Sequence, residues 1–352
     1  MAKTTTTEES GKLSFLEKKY GKGVVIQVSK SIDYTKEVEY ISTGSLMLDR
    51  AIANGGKCFG IPLNGAVTQL VAEYSCGKST LAYSIIKEAN KKGERVLLVD
   101  VEGSATIDYL QCVGVDIDMV DVIDTDILLS AMAIKGRNYL AIEEYAGFIA
   151  DALVSDDYGL IILDSLPAML PAAEARLEDD KTANVSGNAV GGVARPWGKA
   201  YRLWTGALHH TRSGLLIINQ FRSTLDMYGP SKAPTGGKSL QFLMSLSISL
   251  SRQLDRDKER NVGGMFIKAS VEKSKVSPPF GKATYYLTLD QGIDKDYDVY
   301  TLAVAQGLIK KGGAWFELPE VEQKIQGEDK VLTFLADNPE YTEKLISQLK
   351  LD

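Results

Sequence analysis

AEYSCGKST, residues 72–80, follows the apolar run VTQLVA (67–72) and opens a helical pattern over residues 79–92. A strand that turns through a short loop into a helix is the setting in which Gly-Lys-Ser carries structural meaning. Gly77 permits a backbone that turns successive N–H groups toward one cluster of oxyanions. Lys78 brings a positive charge to the β- and γ-phosphates of a nucleotide, the Ser79 hydroxyl can ligate Mg²⁺, and the helix N-terminus adds a favourable dipole. Glu73, Tyr74, Ser75, Cys76 and Thr80 complete the phosphate-wrapping loop. Ala72 stands where the motif G-x-x-x-x-G-K-[ST] has glycine, which is tolerable unless that residue needs positive φ.

Outward from this loop, short apolar runs at 95–101 (RVLLVDV), 159–164 (GLIILD) and 214–219 (GLLIIN) alternate with helical patterns at 140–154 and 196–211. That alternation predicts an α/β fold, a mostly parallel twisted sheet with helices on both faces. Thr43 or Ser45 caps a short helix that Gly55–Gly56 stops. After residue 240, SLSISLSR, MFIKASVEKSK and ATYYLTLD alternate with period two, as antiparallel strands with one solvated face do. Residues 13–20 (LSFLEKKY) predict a short amphipathic helix, and 23–28 (GVVIQV) a strand. Residues from about 299 onward are largely helical by pattern. The expected division is an N-terminal arm at 1–35, a core at 36–285 and a small C-terminal α/β lobe at 286–352.

Open α/β sheets place ligands at the carboxyl ends of their strands. Asp164 ends LIILD, where a carboxylate can hold Mg²⁺ directly or through Ser79, although a strand-terminal Asp is often only a helix cap. Glu102 follows LLVDV and can orient or deprotonate an attacking water; Asp100 is its rival. Gln220 closes LLIINQ, where a carboxamide either hydrogen-bonds a γ-phosphate or its water or is only a polar residue at a strand end.

The chain has 352 residues, a net charge of −6 and 44% hydrophobic residues. No apolar stretch nears the roughly 18 residues of a spanning helix, and MAKTTTTEESGK lacks the core of a secretion signal. Three cysteines are too few and scattered for a disulfide framework or zinc site. These features predict a cytoplasmic protein. The acidic average hides a block, residues 181–254, with nine basic residues against one acid, while the remainder holds 31 basic and 45 acidic. Such a block is either a solvated face or a polyanion site; its many glycines point to loops.

With these elements in order, the chain resembles the bacterial RecA recombinase family. The resemblance spans about residues 13–340 and rests on YGKG (20–23), ISTGSLMLD (41–49), GVDID (114–118), ILDS (162–165), INQFR (218–222), TGGKSLQF (235–242), VEKSKVSPPF (271–280) and GAWFE (313–317). It implies a RecA-like P-loop ATPase core and an ATP- and Mg²⁺-dependent filament on single-stranded DNA. That filament would pair its strand with homologous double-stranded DNA and exchange strands. By the same resemblance, Glu102 activates water, Gln220 senses the γ-phosphate, Tyr109 stacks on the base, and Lys273 and Lys275 reach the ATP of an adjacent copy. Residues 178–193 and 222–237 correspond to two DNA loops, with Val190, Gly191, Arg195, Arg202, Arg222, Tyr228, Gly236 and Gly237 at the DNA. The helix at 13–20 docks on a neighbour through Phe15 and Leu16.

Departures are Ala72, an added turn around Pro62 and Asn64–Gly65, an altered first DNA loop, and LISQLKLD where an acidic tail is common. Two other readings stand beside the recombinase: another RecA-fold motor such as a ring helicase, and a binding module that holds ATP without hydrolysing it.

Overall fold

The computed structural model describes residues 15–26, 38–134, 139–172, 194–223, 232–253, 264–288 and 291–351. The chain forms two compact units, Met1–Glu37 and Val38–Asp352. In the first, α1 (Phe15–Tyr20) has no buried residue, and Phe15 is 76% exposed. The strand expected over residues 23–28 is absent from its described part, residues 23–26, which form a turn and bend. Gly21 and Gly23 both hold positive φ there, at 110° and 86°, and an extended segment needs another strand's edge to satisfy its backbone groups.

The second unit opens with β1 (Tyr40–Ile41), α2 (Leu46–Ala53) and β2 (Ile61–Pro62), the two strands pairing antiparallel. Ser45, not Thr43, caps α2, its Oγ accepting from the Leu48 N–H at 3.1 Å. Thr43 instead donates from its hydroxyl and its N–H to the buried Asp49 carboxylate, at 2.7 and 2.9 Å. Asn64 and Gly65 then hold φ of 55° and 76°, and the Ala66 N–H donates to the Leu63 carbonyl at 3.3 Å. Two successive left-handed residues closing such a bond make a type I′ turn, the added turn that the sequence suggests. A Cβ on Gly65 would lie 2.1 Å from the Leu208 carbonyl oxygen, so the turn also needs glycine for space.

The alternating section follows: β3 (Val67–Ala72), α3 (Lys78–Lys91), β4 (Val96–Asp100), α4 (Ile107–Val113), β5 (Val120–Val122), α5 (Thr125–Ala131), α6 (Ile142–Ser155), β6 (Leu160–Asp164), α7 (Ala194–Leu208) and β7 (Gly214–Ser223). After it come β8 (Lys232–Pro234), α8 (Gly237–Leu243) and strands β9 (Leu246–Gln253), β10 (Gly264–Ser274), β11 (Lys282–Thr288) and β12 (Gly292–Ile293). The sheet order is β12-β11-β10-β9-β3-β7-β6-β4-β5. Pairs from β9 through β5 are parallel; those from β9 to β12 are antiparallel. One face buries Leu70, Leu98, Ile162 and Ile218 beneath α3; the other buries Leu97, Val99, Ile161 and Ile217 beneath α6 and α7. Alternate residues of the parallel strands thus enter two different cores. Trp204 of α7 ties its face together by donating from Nε1 to the Ala146 carbonyl of α6 at 3.0 Å.

The last segment is more mixed than its helical pattern predicts. Helices α9 (Lys295–Ala305), α10 (Glu328–Asp337) and α11 (Pro339–Gln348) pack around a three-stranded antiparallel sheet of β13 (Lys310–Gly312), β14 (Trp315–Glu317) and β15 (Ile325–Gln326). Their own core holds Val299, Leu302, Phe316, Val331, Leu335 and Leu345. Asp298 of α9 reaches out of this cluster, accepting from Ser45 Oγ at 2.5 Å and the Met47 N–H at 3.2 Å.

Burial pushes the Asp298 carboxyl up to about 7, against the two hydrogen bonds, and Asp49 and Asp294 add to the rise. The folded chain therefore holds a proton that the unfolded chain releases near pH 4, and this contribution to stability falls as pH climbs from about 4 to 7. We expect Asp298→Asn to shrink the drop in melting temperature between pH 5 and pH 8. Parallel pH profiles for the two proteins would refute the assignment.

Candidate functional site

The parallel register aligns four strand ends. Ala72 lies opposite Gln220, and Asp100 opposite Asp164, with Leu163 level with Ile217 between them. The phosphate loop leaves β3 at this edge. Ala72 is fully buried as the last residue of β3 and does not hold positive φ, so the missing glycine costs the loop nothing in conformation. Left-handed backbone occurs instead at Ser75 (φ 53°) and at Gly77 (φ 69°), which caps α3.

Lys78 is buried at the first turn of α3, and its Nζ donates to the Glu73 carbonyl at 2.8 Å. Burial pulls its pKa down, while Cys76, Asp164 and Glu102 oppose that shift. Ser79 Oγ donates to Asp164 Oδ2 at 2.8 Å. Burial raises the Asp164 carboxyl to about 6, helped by Glu102 and Asp100 and opposed by Ser79 and Lys78. Such a carboxyl, crowded by like charges in a buried setting, is one that a divalent cation would keep ionised.

Glu102 is exposed and accepts a short hydrogen bond from Ser165 Oγ. Ser165 is a partner of Glu102 that sequence reasoning did not single out, although it sits in ILDS beside Asp164. Asp100, level with Asp164, is engaged with the following loop: its Oδ2 accepts from the Ala105 N–H at 2.8 Å. Tyr109 shares a 2.8 Å hydrogen bond with Thr80 Oγ1 and meets Tyr83 edge-on at 5.8 Å between ring centroids. Gln220 does not close its strand, because β7 continues to Ser223, where β8 pairs back onto it.

The matches to known proteins agree with this geometry. The RecA N-terminal domain family model matches residues 9–294, and the RecA C-terminal domain model residues 298–351. "Protein RecA" of Bdellovibrio bacteriovorus is 32% identical over 334 residues, covering 95% of this chain and 82% of its own. The Corynebacterium glutamicum protein of that name is 34% identical over 336 residues, covering 95% and 81%. The chain belongs to the RecA family. A crystal structure of the RadB recombinase matches with a TM-score of 0.50 at 19% identity, over 72% of this chain and 98% of that one, a likeness of fold.

In this RecA-family chain the expected DNA residues divide. Val190, Gly191 and Tyr228 lie outside the described residues. Arg195 and Arg202 are exposed on α7, opposite the buried Trp197, Tyr201 and Trp204. Lys199 is exposed between them, four residues after Arg195 and three before Arg202, and shares their face. Arg222 Nη2 donates to the Pro167 carbonyl at 3.4 Å, just past Asp164. Gly236 caps α8 at φ 101°, where a Cβ would lie 2.3 Å from the Tyr201 hydroxyl; Gly237 follows at φ 70°. Packing against α7 is therefore a sufficient reason for the first of these glycines. Arg212, counted in the basic block, is committed to Glu94 through two bonds of 3.1 and 2.8 Å.

Lys273 and Lys275 point the same way, as their spacing predicts. Their ammonium groups donate to the Gln241 and Phe242 carbonyls at the end of α8, at 2.5 and 3.2 Å. A cleft of about 1170 Å³ on the polar face of β9 and β10 includes Lys273, Gln69, Ser247 and Glu272; it is separate from the phosphate loop.

Because Ala72 is extended, restoring the motif's glycine gains the loop nothing. Ala72→Gly should leave nucleotide affinity within about twofold and lower stability by about 0.5–1 kcal/mol, the usual cost of glycine in a strand. A large gain in affinity on titration would show that the loop is strained at this position.

Proposed function

We propose that this RecA-family chain is a DNA-dependent ATPase and DNA recombinase. It assembles as a helical filament on single-stranded DNA, pairs that strand with homologous duplex and couples the exchange to ATP hydrolysis. The supporting observation is that the site is divided. Lys78, Ser79, Asp164, Glu102 and Gln220 meet at one edge of the sheet, while Lys273 and Lys275 sit level with the start of β3. Lys273 pairs with Ser247, which pairs with Gln69, and the Lys275 N–H bonds Ser245, whose own N–H bonds Val67. Lys273 is offset from its own Ala72 by roughly 10 Å along the strands and Lys275 by roughly 17 Å, both roughly 10 Å across them. Cations so placed serve a neighbour's triphosphate, which makes hydrolysis depend on assembly.

Within one copy the roles follow from position. Backbone N–H groups of the loop from Glu73 to Gly77, with Lys78, Ser79 and Thr80, bind the phosphates. Mg²⁺ fits between Ser79 and Asp164: a hydroxyl and one carboxylate suit an ion that takes its remaining ligands from phosphate and water. It would neutralise phosphate charge during transfer. Among the described residues, no group of three or more His, Cys, Asp or Glu could hold a metal ion by itself. Glu102, steadied by Ser165, orients water; Gln220 bonds the γ-phosphate; Tyr109 lines the base. Arg195, Lys199 and Arg202 bind strand phosphates together with Arg222, Gly236, Gly237 and the loop residues Val190, Gly191 and Tyr228.

The three working parts are the arm (1–35), the core and the C-terminal lobe; the core extends past the expected boundary at 285 to Ile293, because β11 and β12 belong to its sheet, and the arm docks on the next copy through Phe15 and Leu16. Among the described residues no helix is long and apolar enough to cross a membrane, and we place the activity in the cytoplasm.

Glu102→Gln should cut DNA-stimulated turnover by about 10²- to 10⁴-fold while nucleotide binding survives. Lys78→Ala protein and a Lys273→Ala/Lys275→Ala double variant, each inactive alone, should recover turnover when mixed with DNA. No recovery in co-assembled filaments would refute the shared site. Helical filaments in electron micrographs would separate this reading from a ring motor.

Arg202→Ala should reduce the slope of log affinity against log salt for single-stranded DNA by about 0.7, one phosphate contact. An unchanged slope would remove α7 from the DNA surface.

A further inference from the structure

β8 carries the last described residues of the second DNA loop back to the core, and it is fastened at three points. Its register pairs Phe221 with Pro234 and Ser223 with Lys232. Beyond it, the Thr235 N–H donates to the Gln220 carbonyl at 3.3 Å, and Asn219 Nδ2 donates to the Thr235 carbonyl at 2.8 Å. The third point crosses to another element: Lys232 Nζ forms an ion pair with the Glu73 carboxylate of the phosphate loop. Glu73 is therefore held twice, its carbonyl by Lys78 and its carboxylate by Lys232.

These two contacts compete differently with a triphosphate. Phosphate oxygens offer Lys78 a better partner than a neutral carbonyl, because the bond becomes charge-assisted. The same oxygens repel the Glu73 carboxylate and attract the Lys232 ammonium. Both partners are about half exposed, so the pair is weak and exchangeable, not a fixed strut. A weak contact that joins two functional loops can shift a population without locking it.

We propose that the Glu73–Lys232 ion pair is a nucleotide-sensitive latch: it holds the return limb of the second DNA loop on the empty phosphate loop, and the triphosphate releases it. Lys232 is thus a positioning residue that couples nucleotide occupancy to the grip on single-stranded DNA. This rests on the assignment of residues 222–237 as a DNA loop.

The test is the affinity of the full chain for a fluorescent single-stranded oligonucleotide, with and without a non-hydrolysable ATP analogue and Mg²⁺. The quantity read is the ratio of the two affinities. Lys232→Met keeps the aliphatic stem and removes the charge; it should narrow the ratio by about 1.5- to fivefold, the scale of an exposed ion pair. Lys232→Arg, which preserves the pair, should keep the wild-type ratio. In a Glu73→Gln background, Lys232→Met should narrow the ratio no further. If Lys232→Met weakens binding by one factor in both states, Lys232 is a plain phosphate contact and the latch is wrong. An unchanged ratio refutes it equally. A wild-type ratio close to one refutes the latch alone; if the wild-type chain binds the oligonucleotide in neither state, it is the DNA-loop assignment that fails, and the latch falls with it.

Discussion

The constraint behind this architecture is that a cluster of phosphate oxygens must meet unpaired backbone N–H groups and one ammonium at a single point. Such groups are available where a buried strand ends and a helix begins. Only a strand in the interior of a parallel sheet brings further strand ends to the same place. β3 lies between β7 and β9, and β6 and β4 follow beyond β7. Asp164, Glu102 and Gln220 thus reach the phosphate loop without long excursions. The hydrophobic runs that build the sheet also fix the positions of the polar residues that end them.

A second consequence is that charged groups in the site rest on one another or on backbone. Lys78 sits on the Glu73 carbonyl, Ser79 on Asp164, and Glu102 on Ser165. Lys273 and Lys275 sit on the last carbonyls of α8, where the helix dipole favours cations. A buried or half-buried charge without a partner is costly, and a neutral carbonyl satisfies an ammonium without holding it as a phosphate would. These contacts preserve the side chains' orientation while remaining exchangeable.

The strands and the phosphate loop were legible because their signals are local: apolar runs of strand length, a Gly-Lys-Ser triplet and polar residues ending strands. Asn64–Gly65 was legible for a similar reason, since a type I′ turn needs two left-handed residues. Other features depend on distant partners. β7 runs past Asn219 because β8, starting at Lys232, supplies an edge for it. Residues 23–26 carry a strand's composition but have no strand pairing. The last segment's β13 to β15 are two or three residues each, too short for period-two alternation to show. Charge counting found the basic block, but not that Arg212 belongs to Glu94 or Lys232 to Glu73.

The motif ISTGSLMLD shows what such partners add. Nothing in it resembles a ligand site, yet its Thr43 binds Asp49 and its Ser45 accepts the Leu48 N–H of α2 while donating to Asp298. The buried polar side chains of Thr43, Ser45 and Asp49 are thereby satisfied by one short segment, as burial requires. Gly44 completes the arrangement at φ 88°, where a Cβ would lie 2.2 Å from Ser84 Oγ on α3. The segment thus fixes the helix that carries Lys78 at one side and the first helix of the C-terminal lobe at the other. A stretch with no catalytic group of its own still sets where the catalytic helix lies.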